Sequence, residues 1–486
     1  MDAASRPYAR LRRMIGSWRR LGVVAALAFS ASGCAAAGQT ASPAQTASPA
    51  QTAAPPQTVP APPAAEAAAP AGQSAGPVVQ VLPNGLTLII QDHRAADIEA
   101  VYLWVGTGVR YELPDGLGYA HFQEHMLFKG TDTFGPGHID RVVEGQGGRD
   151  NAFTSFDYTT FQILVPSDGT RTALDLLDAM AFRSTFDPKE IESERQVIFE
   201  ESRIESDTPK SAIIRQLYGL AFSGHPYGRP VLGTPETMNE ATQAKLKAFN
   251  HRYYTPENMA LVAVGPVEPK AIRAMVDATF GKRPRTGFAP PPTPPLSPVK
   301  GEVCKTVERP EQQAQLALGW QAPSLANPDS FALDLVATIL GGSESARMQK
   351  TLRDGERLVS GITVSNSSMQ LSGIFYVQAQ LEAGDVEKAK RRVLEEIARL
   401  EKEGPTEEER QLAVTKAESE HAFAYETTDG VASAYGITQL TGKLDDELRY
   451  VDRLRSVTRE EIRDAARTYL PVTDYACIAF VPGKAK

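Results

Sequence analysis

The chain has 486 residues, of which 42% are hydrophobic and 23% are charged, and its formal net charge is −8. The first 34 residues carry six arginines against one aspartate, so removing their net +5 leaves about −13 on the remainder. The remainder is acidic and has no long runs of basic residues, which excludes a nucleic-acid-binding protein. Its length suffices for two domains of ordinary size.

The N-terminus has the pattern of an export signal. Arginines precede an apolar run from about Leu21 to Phe29, which is too short for a permanent membrane span. The sequence Ala31-Ser-Gly-Cys34 resembles a bacterial lipoprotein box, although alanine stands where leucine is usual. We expect residues 1–34 to be a signal peptide and Cys34 to be lipidated, giving a periplasm-facing lipoprotein of a Gram-negative cell envelope that meets the membrane by its lipid anchor only. A soluble periplasmic protein is the alternative.

Composition divides the rest of the chain. Residues 35–77 are almost wholly Ala, Pro, Gln, Thr and Ser, so they cannot offset their ordering entropy and are expected to form a disordered tether. A proline-rich stretch at 284–299 cannot continue a helix or a central strand and is expected to be a linker. The linker separates a first domain, residues 78–283, from a second domain, residues 300–486.

Local patterns predict individual elements. The segment from Val79 to Asp92 has the pattern of a hairpin that turns at Pro83-Asn84-Gly85. Helices are predicted from start and stop signals over Thr170 to Phe182, Thr234 to Phe249 and Val386 to Lys402.

The most informative motif is His121-Phe-Gln-Glu124-His125. In an α-helix, residues four apart lie one above the other, so both imidazoles can face one zinc ion while Glu124 lies beside them. Zinc lowers the pKa of its bound water to about 7, and a neighbouring carboxylate can take the proton as the hydroxide attacks a carbonyl. The order H-x-x-E-H therefore predicts two zinc ligands and a general base; chance histidines on a surface helix are the alternative.

A strand is predicted shortly after this motif. The segment from Asn151 to Phe161 is rich in β-branched and aromatic residues and follows a break at Gly147-Gly148. An exposed edge of such a strand would bind extended peptide by main-chain hydrogen bonds. An ordinary buried strand fits the pattern equally well.

A third zinc ligand must come from elsewhere in the chain, since a catalytic zinc takes three protein ligands and a water. The acidic run from Asp187 to Asp207 has the apolar stripe of one long helix. Glu194 and Glu201 are seven residues apart and share a face of that helix, and Glu200 is the nearest competitor. A solvated acidic helix face is the structural alternative.

Two parts of the chain repeat one another. Arg252-Tyr-Tyr-Thr-Pro256 leads into an apolar run from Met259 to Val264, and Arg467-Thr-Tyr-Leu-Pro471 leads into a similar run from Tyr475 to Phe480. The offset of about 215 residues predicts two copies of one α/β domain, each ending on a strand.

With these motifs the chain resembles the pitrilysin/insulinase-type zinc metallopeptidases, most closely the processing-peptidase-like bacterial members. In that family a liganding glutamate follows H-x-x-E-H at the distance that separates His125 from Glu201, 76 residues. The resemblance implies one Zn²⁺ per chain held by His121, His125 and Glu201. It also implies Glu124 as the general base and Glu194 as a second, supporting acid.

The resemblance also implies a fold. We expect two homologous α/β (α+β) domains, each a mixed, largely antiparallel sheet flanked by helices, which together form half of a clam-shell chamber. The strand that begins near Asn151 matches the family's active-site strand, so Asn151 and Ala152 are expected to bind the substrate. In the second copy Leu333, Val336 and Ala337 stand where the zinc motif stands in the first, so the second domain is expected to be zinc-free.

The zinc-free domain departs from the family in one respect. Family members usually carry an arginine and, seven residues later, a tyrosine in this domain, and the pair holds the substrate. Arg353 fits the arginine, but Ser360 stands in the place of the tyrosine. Because some bacterial relatives pair a zinc subunit with a zinc-free subunit that has both residues, we expect a heterodimer with a zinc-free homologous subunit. A homodimer is the alternative.

Besides Cys34 the chain has only Cys304 and Cys477. Both lie in apolar, strand-like sequence, which favours two buried thiols over a disulfide. An oxidising compartment would permit the bond, so the sequence leaves the redox state of the pair open.

Together these features predict a zinc metalloendopeptidase, a hydrolase that cleaves peptides or unfolded segments with a zinc-bound water activated by Glu124. Two alternatives belong to other functional classes: a non-catalytic scaffold, and a zinc-holding binding subunit of a cell-envelope complex. Scaffold relatives typically lose their ligands or base. All four residues are present here.

Overall fold

The computed structural model describes residues 76–483, here divided into a first half (76–283) and a second half (300–483). The signal peptide, Cys34 and nearly all of the tether lie outside the described residues. Export and lipidation therefore stay predictions, which mass spectrometry of protein extracted from membranes would check. No helix between residues 76 and 483 is both long enough and apolar enough to cross a bilayer.

The first half contains a six-stranded sheet. Its strands are Val78–Val81 (β1), Thr87–Asp92 (β2), Ile98–Val105 (β3), Arg149–Thr154 (β4), Thr159–Pro166 (β5) and Met259–Gly265 (β6). Their order is β1-β2-β6-β3-β5-β4, and every neighbouring pair is antiparallel except β2 with β6. β1 and β2 form the expected hairpin, whose turn places Gly85 at φ +92°, a conformation that favours glycine.

The α-helices of the first half lie between and after these strands. They are Tyr119–Met126 (α1), His138–Gly145 (α2), Thr170–Arg183 (α3), Pro188–Asp207 (α4), Pro209–Ala221 (α5), Pro235–Asn239 (α6), Gln243–Tyr253 (α7) and Pro269–Ala278 (α8). α4 is the expected long acidic helix, capped by the Asp187 side chain. The single helix expected over 234–249 is wrong: the structure has α6 and α7, because Thr242 caps a new helix by accepting from the backbone N–H of Lys245.

The second half repeats this topology. Its strands are Glu302–Arg309 (β7), Ala314–Ala322 (β8), Gly361–Ser368 (β9), Gly373–Leu381 (β10) and Tyr475–Pro482 (β11). Its helices are Asp329–Leu340 (α9), Val386–Glu403 (α10), Glu407–Ala424 (α11), Thr428–Thr441 (α12), Leu444–Leu448 (α13), Tyr450–Ser456 (α14) and Arg459–Tyr469 (α15), with a π-helical segment at Gln349–Gly355. The order β7-β11-β8-β10-β9 matches β2-β6-β3-β5-β4, and β7 with β11 is again the parallel pair. The expectation of two α/β copies with mixed, largely antiparallel sheets is confirmed.

Each half covers one face of the other half's sheet. Helix α5 of the first half packs on β8 and β11, and helix α12 of the second half packs on β3 and β6. The close contact of α12 with β3 requires glycine at position 436, because a Cβ added there would come within 2.0 Å of the Trp104 ring. Residues 284–300, which include the stretch predicted to be a linker, form no helix or strand. The halves nevertheless pack as one body across that boundary.

The interpretation of Cys304 and Cys477 as two buried thiols is wrong. The structure joins them in a disulfide, with their Cα atoms 4.4 Å apart on the directly paired strands β7 and β11. Cys477 is buried, but Cys304 is exposed because β7 is the last strand of its sheet. The apolar pattern around each cysteine could not show that two strands whose cysteines are 173 positions apart in sequence lie side by side.

Candidate active site

Helix α1 carries the H-x-x-E-H motif and is fixed at its N-terminus by a buried carboxylate. Glu112 accepts hydrogen bonds from the backbone N–H groups of Gly118 and Ala120, both at 2.8 Å. These are groups that have no partner within the helix, and a carboxylate also suits the positive end of the helix dipole. Burial raises the pKa of Glu112 to about 8 although both bonds lower it. No sequence motif indicated this residue.

The two histidines of α1 converge on α4. His121 and His125 have ring centroids 4.7 Å apart, one helical turn from each other. Glu201 Oε2 lies 3.4 Å from His125 Nε2 and 3.8 Å from His121 Nε2. The structure thus brings together the three residues that the family resemblance implied as zinc ligands.

This donor set fits a tetrahedral zinc ion. Bonds of 2.0–2.1 Å to nitrogen and oxygen place two ligand atoms about 3.3 Å apart at the edge of a tetrahedron, and the Glu201 distances are at or slightly above that value. Two imidazoles and one carboxylate leave the fourth position for water or substrate, as catalytic zinc sites require. Glu200 is not an alternative third ligand, since its side chain is exposed and paired with Arg203 at 2.6 Å.

A second carboxylate orients one of the histidines. Glu194 Oε2 lies 3.0 Å from His125 Nδ1, which leaves Nε2 of that ring directed at Glu201. Lys129 Nζ contacts the other oxygen of Glu194 at 2.6 Å. A carboxylate on the far nitrogen of a ligand histidine fixes its tautomer and ring orientation. Sequence reasoning selected Glu194 but missed Lys129, which lies four residues beyond His125, after the end of α1.

The pKa values of the histidines and glutamates at this site depend both on burial and on neighbouring charges. Burial and the neighbouring His125 lower the pKa of His121. Burial alone would lower the pKa of His125, but Glu201 and Glu194 outweigh it and raise the value. The pKa values of Glu194 and Glu201 are lowered despite their burial, because each carboxylate contacts His125.

Glu124 lies beside the three converging side chains and is held by β4. Thr154 Oγ1 donates to Glu124 Oε2 at 2.7 Å. Burial raises the pKa of Glu124 to about 7, while His125 and Thr154 oppose the rise. One carboxylate oxygen is thus fixed by the strand that was assigned to the substrate, a link that local sequence patterns could not reveal.

Strand β4 forms the outer edge of the first sheet. It pairs with β5 and is the terminal strand of that sheet among the described residues. The side chain of Ala152 is buried in the core, and the Asn151 side chain contacts Gln162 at 3.5 Å. Any contact of Ala152 with a peptide would therefore run through its backbone.

Arg353 does not join the residues around His121, His125 and Glu201. It lies in the π-helical segment of the second half and pairs with Glu344 at 2.8 Å and Asp354 at 2.7 Å. Ser360, at the place of the family's tyrosine, donates to the Gln380 carbonyl. The positions that replace the zinc motif in the second copy, Leu333, Val336 and Ala337, are buried in the core of that half.

Comparisons with known proteins agree with this geometry. Residues 87–235 match the insulinase family, peptidase family M16, and residues 240–417 match the peptidase M16 inactive domain. An uncharacterized zinc protease of Bacillus subtilis is 29% identical over 400 residues, covering 82% of this chain and 97% of the relative. One of Mycobacterium tuberculosis is 31% identical over 395 residues, covering 80% and 90%.

The fold has a counterpart among solved structures. A protease from Helicobacter pylori superposes with a TM-score of 0.79 at 23% identity, covering 84% of this chain and 99% of that one. At that identity the likeness shows the fold alone. With the sequence relatives it confirms the resemblance drawn from the H-x-x-E-H motif: the chain belongs to the insulinase family of peptidases, peptidase family M16.

Proposed function

We propose that this chain is a zinc-dependent endopeptidase that hydrolyses peptides or unfolded segments. The observation that carries the proposal is the convergence of His121, His125 and Glu201 with a separate carboxylate, Glu124, beside them. Residues 240–417, which include most of the second half, match a family described as an inactive domain, and residues 300–483 lack the zinc motif. Catalysis is therefore assigned to the first half.

The chain's own residues account for the proton transfers. A zinc ion held by the two imidazoles and Glu201 supplies Lewis acidity toward water and the peptide carbonyl. Glu124 takes the proton of the attacking water and returns it to the leaving amine nitrogen, as a general base and then a general acid. The hydrogen bond from Thr154 holds Glu124 Oε2, so the carboxylate keeps one orientation through both transfers.

Substrate binding is assigned to the edge of β4. An extended peptide that adds to a sheet edge is held by main-chain hydrogen bonds, which place few demands on its sequence. Thr154 ends this strand and also contacts Glu124, so a peptide on the edge lies next to the base. This arrangement supports an endopeptidase of broad sequence preference that acts on extended chains.

Zinc content and cleavage should therefore change together. We expect purified protein to contain about one zinc per chain, to cleave short unfolded peptides, to lose cleavage on chelation and to regain it with added zinc. A series of peptides of graded length and a folded protein should show whether a chamber excludes large substrates. Cleavage that persists after the metal is removed would contradict the zinc mechanism.

We also propose that a second subunit completes the enzyme. The motivation is Ser360 in place of the tyrosine, together with the engagement of Arg353 by Glu344 and Asp354. We expect the chain mixed with a zinc-free homologous subunit to cleave peptides faster than the chain alone. Equal rates, with a homodimer in solution, would show that this chain needs no such partner.

A further inference from the structure

A buried polar cluster joins the two halves close to the active site. We define the junction cluster as Arg110, Asp157 and Tyr227, all from the first half. Arg110 Nε donates to Asp157 at 2.6 Å, and the Tyr227 hydroxyl donates to the same carboxylate at 2.8 Å. The side chains of Arg110 and Asp157 are only 5% and 3% exposed, so the ion pair is almost free of solvent screening.

The second half completes this cluster with backbone groups. The turn between β9 and β10 directs two N–H groups at it: that of Gln370 donates to Asp157 at 2.9 Å, and that of Leu371 donates to the Tyr227 hydroxyl at 3.1 Å. The Gln370 side chain also accepts from Arg110. Since a buried charge is costly without partners, the Asp157 carboxylate fixes the turn of the second half to the first half here.

The cluster is linked to the catalytic base through a short stretch of chain. Asp157 lies in the turn between β4 and β5, three residues after Thr154, whose hydroxyl holds Glu124. The backbone N–H of Arg110 also donates to the Phe156 carbonyl of that turn at 2.9 Å. A shift of the turn would therefore move the end of the substrate strand and the residue that orients the base.

The other end of β4 also contacts the second half. Arg149 pairs with Asp429 of α12 at 2.8 Å, and Asp429 accepts from Tyr102 at 2.5 Å. The Arg149 side chain is 59% exposed, and such pairs contribute little to stability. The buried junction cluster is thus the stronger of the two attachments.

We infer that Asp157 and Tyr227 are positioning residues through which the zinc-free half sets the place of β4 and Thr154, and so the orientation of Glu124. This inference rests on the proposed peptidase function. The second half would then do more than enclose a substrate. Its β9–β10 turn would hold β4 at the end where Thr154 binds Glu124.

Tyr227→Phe tests this, because it keeps the buried ring and removes the hydrogen bonds of the hydroxyl with Asp157 and with the Leu371 N–H. The matched control is Tyr218→Phe, which removes a hydroxyl from the same core, one that contacts Ser367 and not Asp157. We expect kcat/KM of the Tyr227 variant to fall by about 10–100-fold, since a misplacement of about 1 Å at an active site can cost up to about 100-fold, with zinc content unchanged. KM should rise and kcat should fall. Hydrogen exchange of residues 149–158 should quicken in this variant and not in the control.

A purely structural role predicts a different pattern. Both variants would then unfold at similarly lowered temperatures, with wild-type kcat and KM per zinc-loaded molecule and unchanged exchange at 149–158, and this result would overturn the inference. If the wild-type protein cleaves no peptide, the proposed function fails. Hydrogen exchange of residues 149–158 then decides alone whether Asp157 and Tyr227 position β4. Should Tyr227→Phe not fold, Gln370→Ala removes only the side-chain contact with Arg110 and should show the same pattern at smaller amplitude.

Discussion

Replacement of Glu124 by glutamine is expected to lower kcat by about 10²–10⁴-fold while the protein keeps its zinc. General acid–base catalysis contributes rate factors of this size. Glutamine has nearly the shape of glutamate and can still accept the hydrogen bond from Thr154, but it cannot take a proton from water. Steady-state cleavage of a fluorogenic peptide and elemental analysis of the same samples would give kcat and zinc per chain.

The same variant separates an enzyme from a binding module. A protein that only holds zinc for a structural purpose would bind its metal and its peptide equally well with either residue, because Glu124 is not one of the three converging side chains, His121, His125 and Glu201. A variant that cleaves at the wild-type rate would rule out Glu124 as the base. A variant that loses zinc would instead show that this carboxylate helps to hold the ion.

The helix that carries the H-x-x-E-H motif could be predicted from sequence because its information is local. His121, Glu124 and His125 lie within two turns of one helix, so the helical period alone places them on adjacent positions. Glu201 needed the family spacing, since no local pattern distinguishes it from Glu200. The structure separates the two: one points at the histidines and the other pairs with Arg203 in solvent.

The supporting residues could not be predicted, because their contacts join distant segments. Glu112 reaches the first turn of α1 across a loop, and Thr154 reaches Glu124 from a strand 30 residues away. The packing of α5 on the sheet of the second half, and of α12 on the sheet of the first half, could not be predicted for the same reason. An amphipathic pattern shows that a helix has an apolar face, but it does not show which sheet that face covers. The paired cysteines on β7 and β11 were missed for this reason too.

Replacement of Glu201 by glutamine is expected to remove zinc from the protein. The change takes away the only carboxylate among the three converging ligands and leaves two imidazoles. Loss of a partner outside the coordination sphere already weakens zinc binding by about 10–100-fold, so loss of a ligand should weaken it by more. Competition with a zinc-binding dye would give the affinity, and peptide cleavage should fall in proportion to bound zinc.

Glu200→Gln is the matched control, since it makes the same chemical change on the same helix at the neighbouring position. Its carboxylate is exposed and bound to Arg203, in an exposed ion pair of a kind that contributes little to stability. We expect this variant to bind zinc and cleave peptide as the wild type does. If instead Glu200→Gln released the metal and Glu201→Gln retained it, the ligand assignment would move to Glu200. The helix would then have to turn by about 100° about its axis to present that side chain to the histidines, which would disrupt the contact of Glu194 with His125 on the same face.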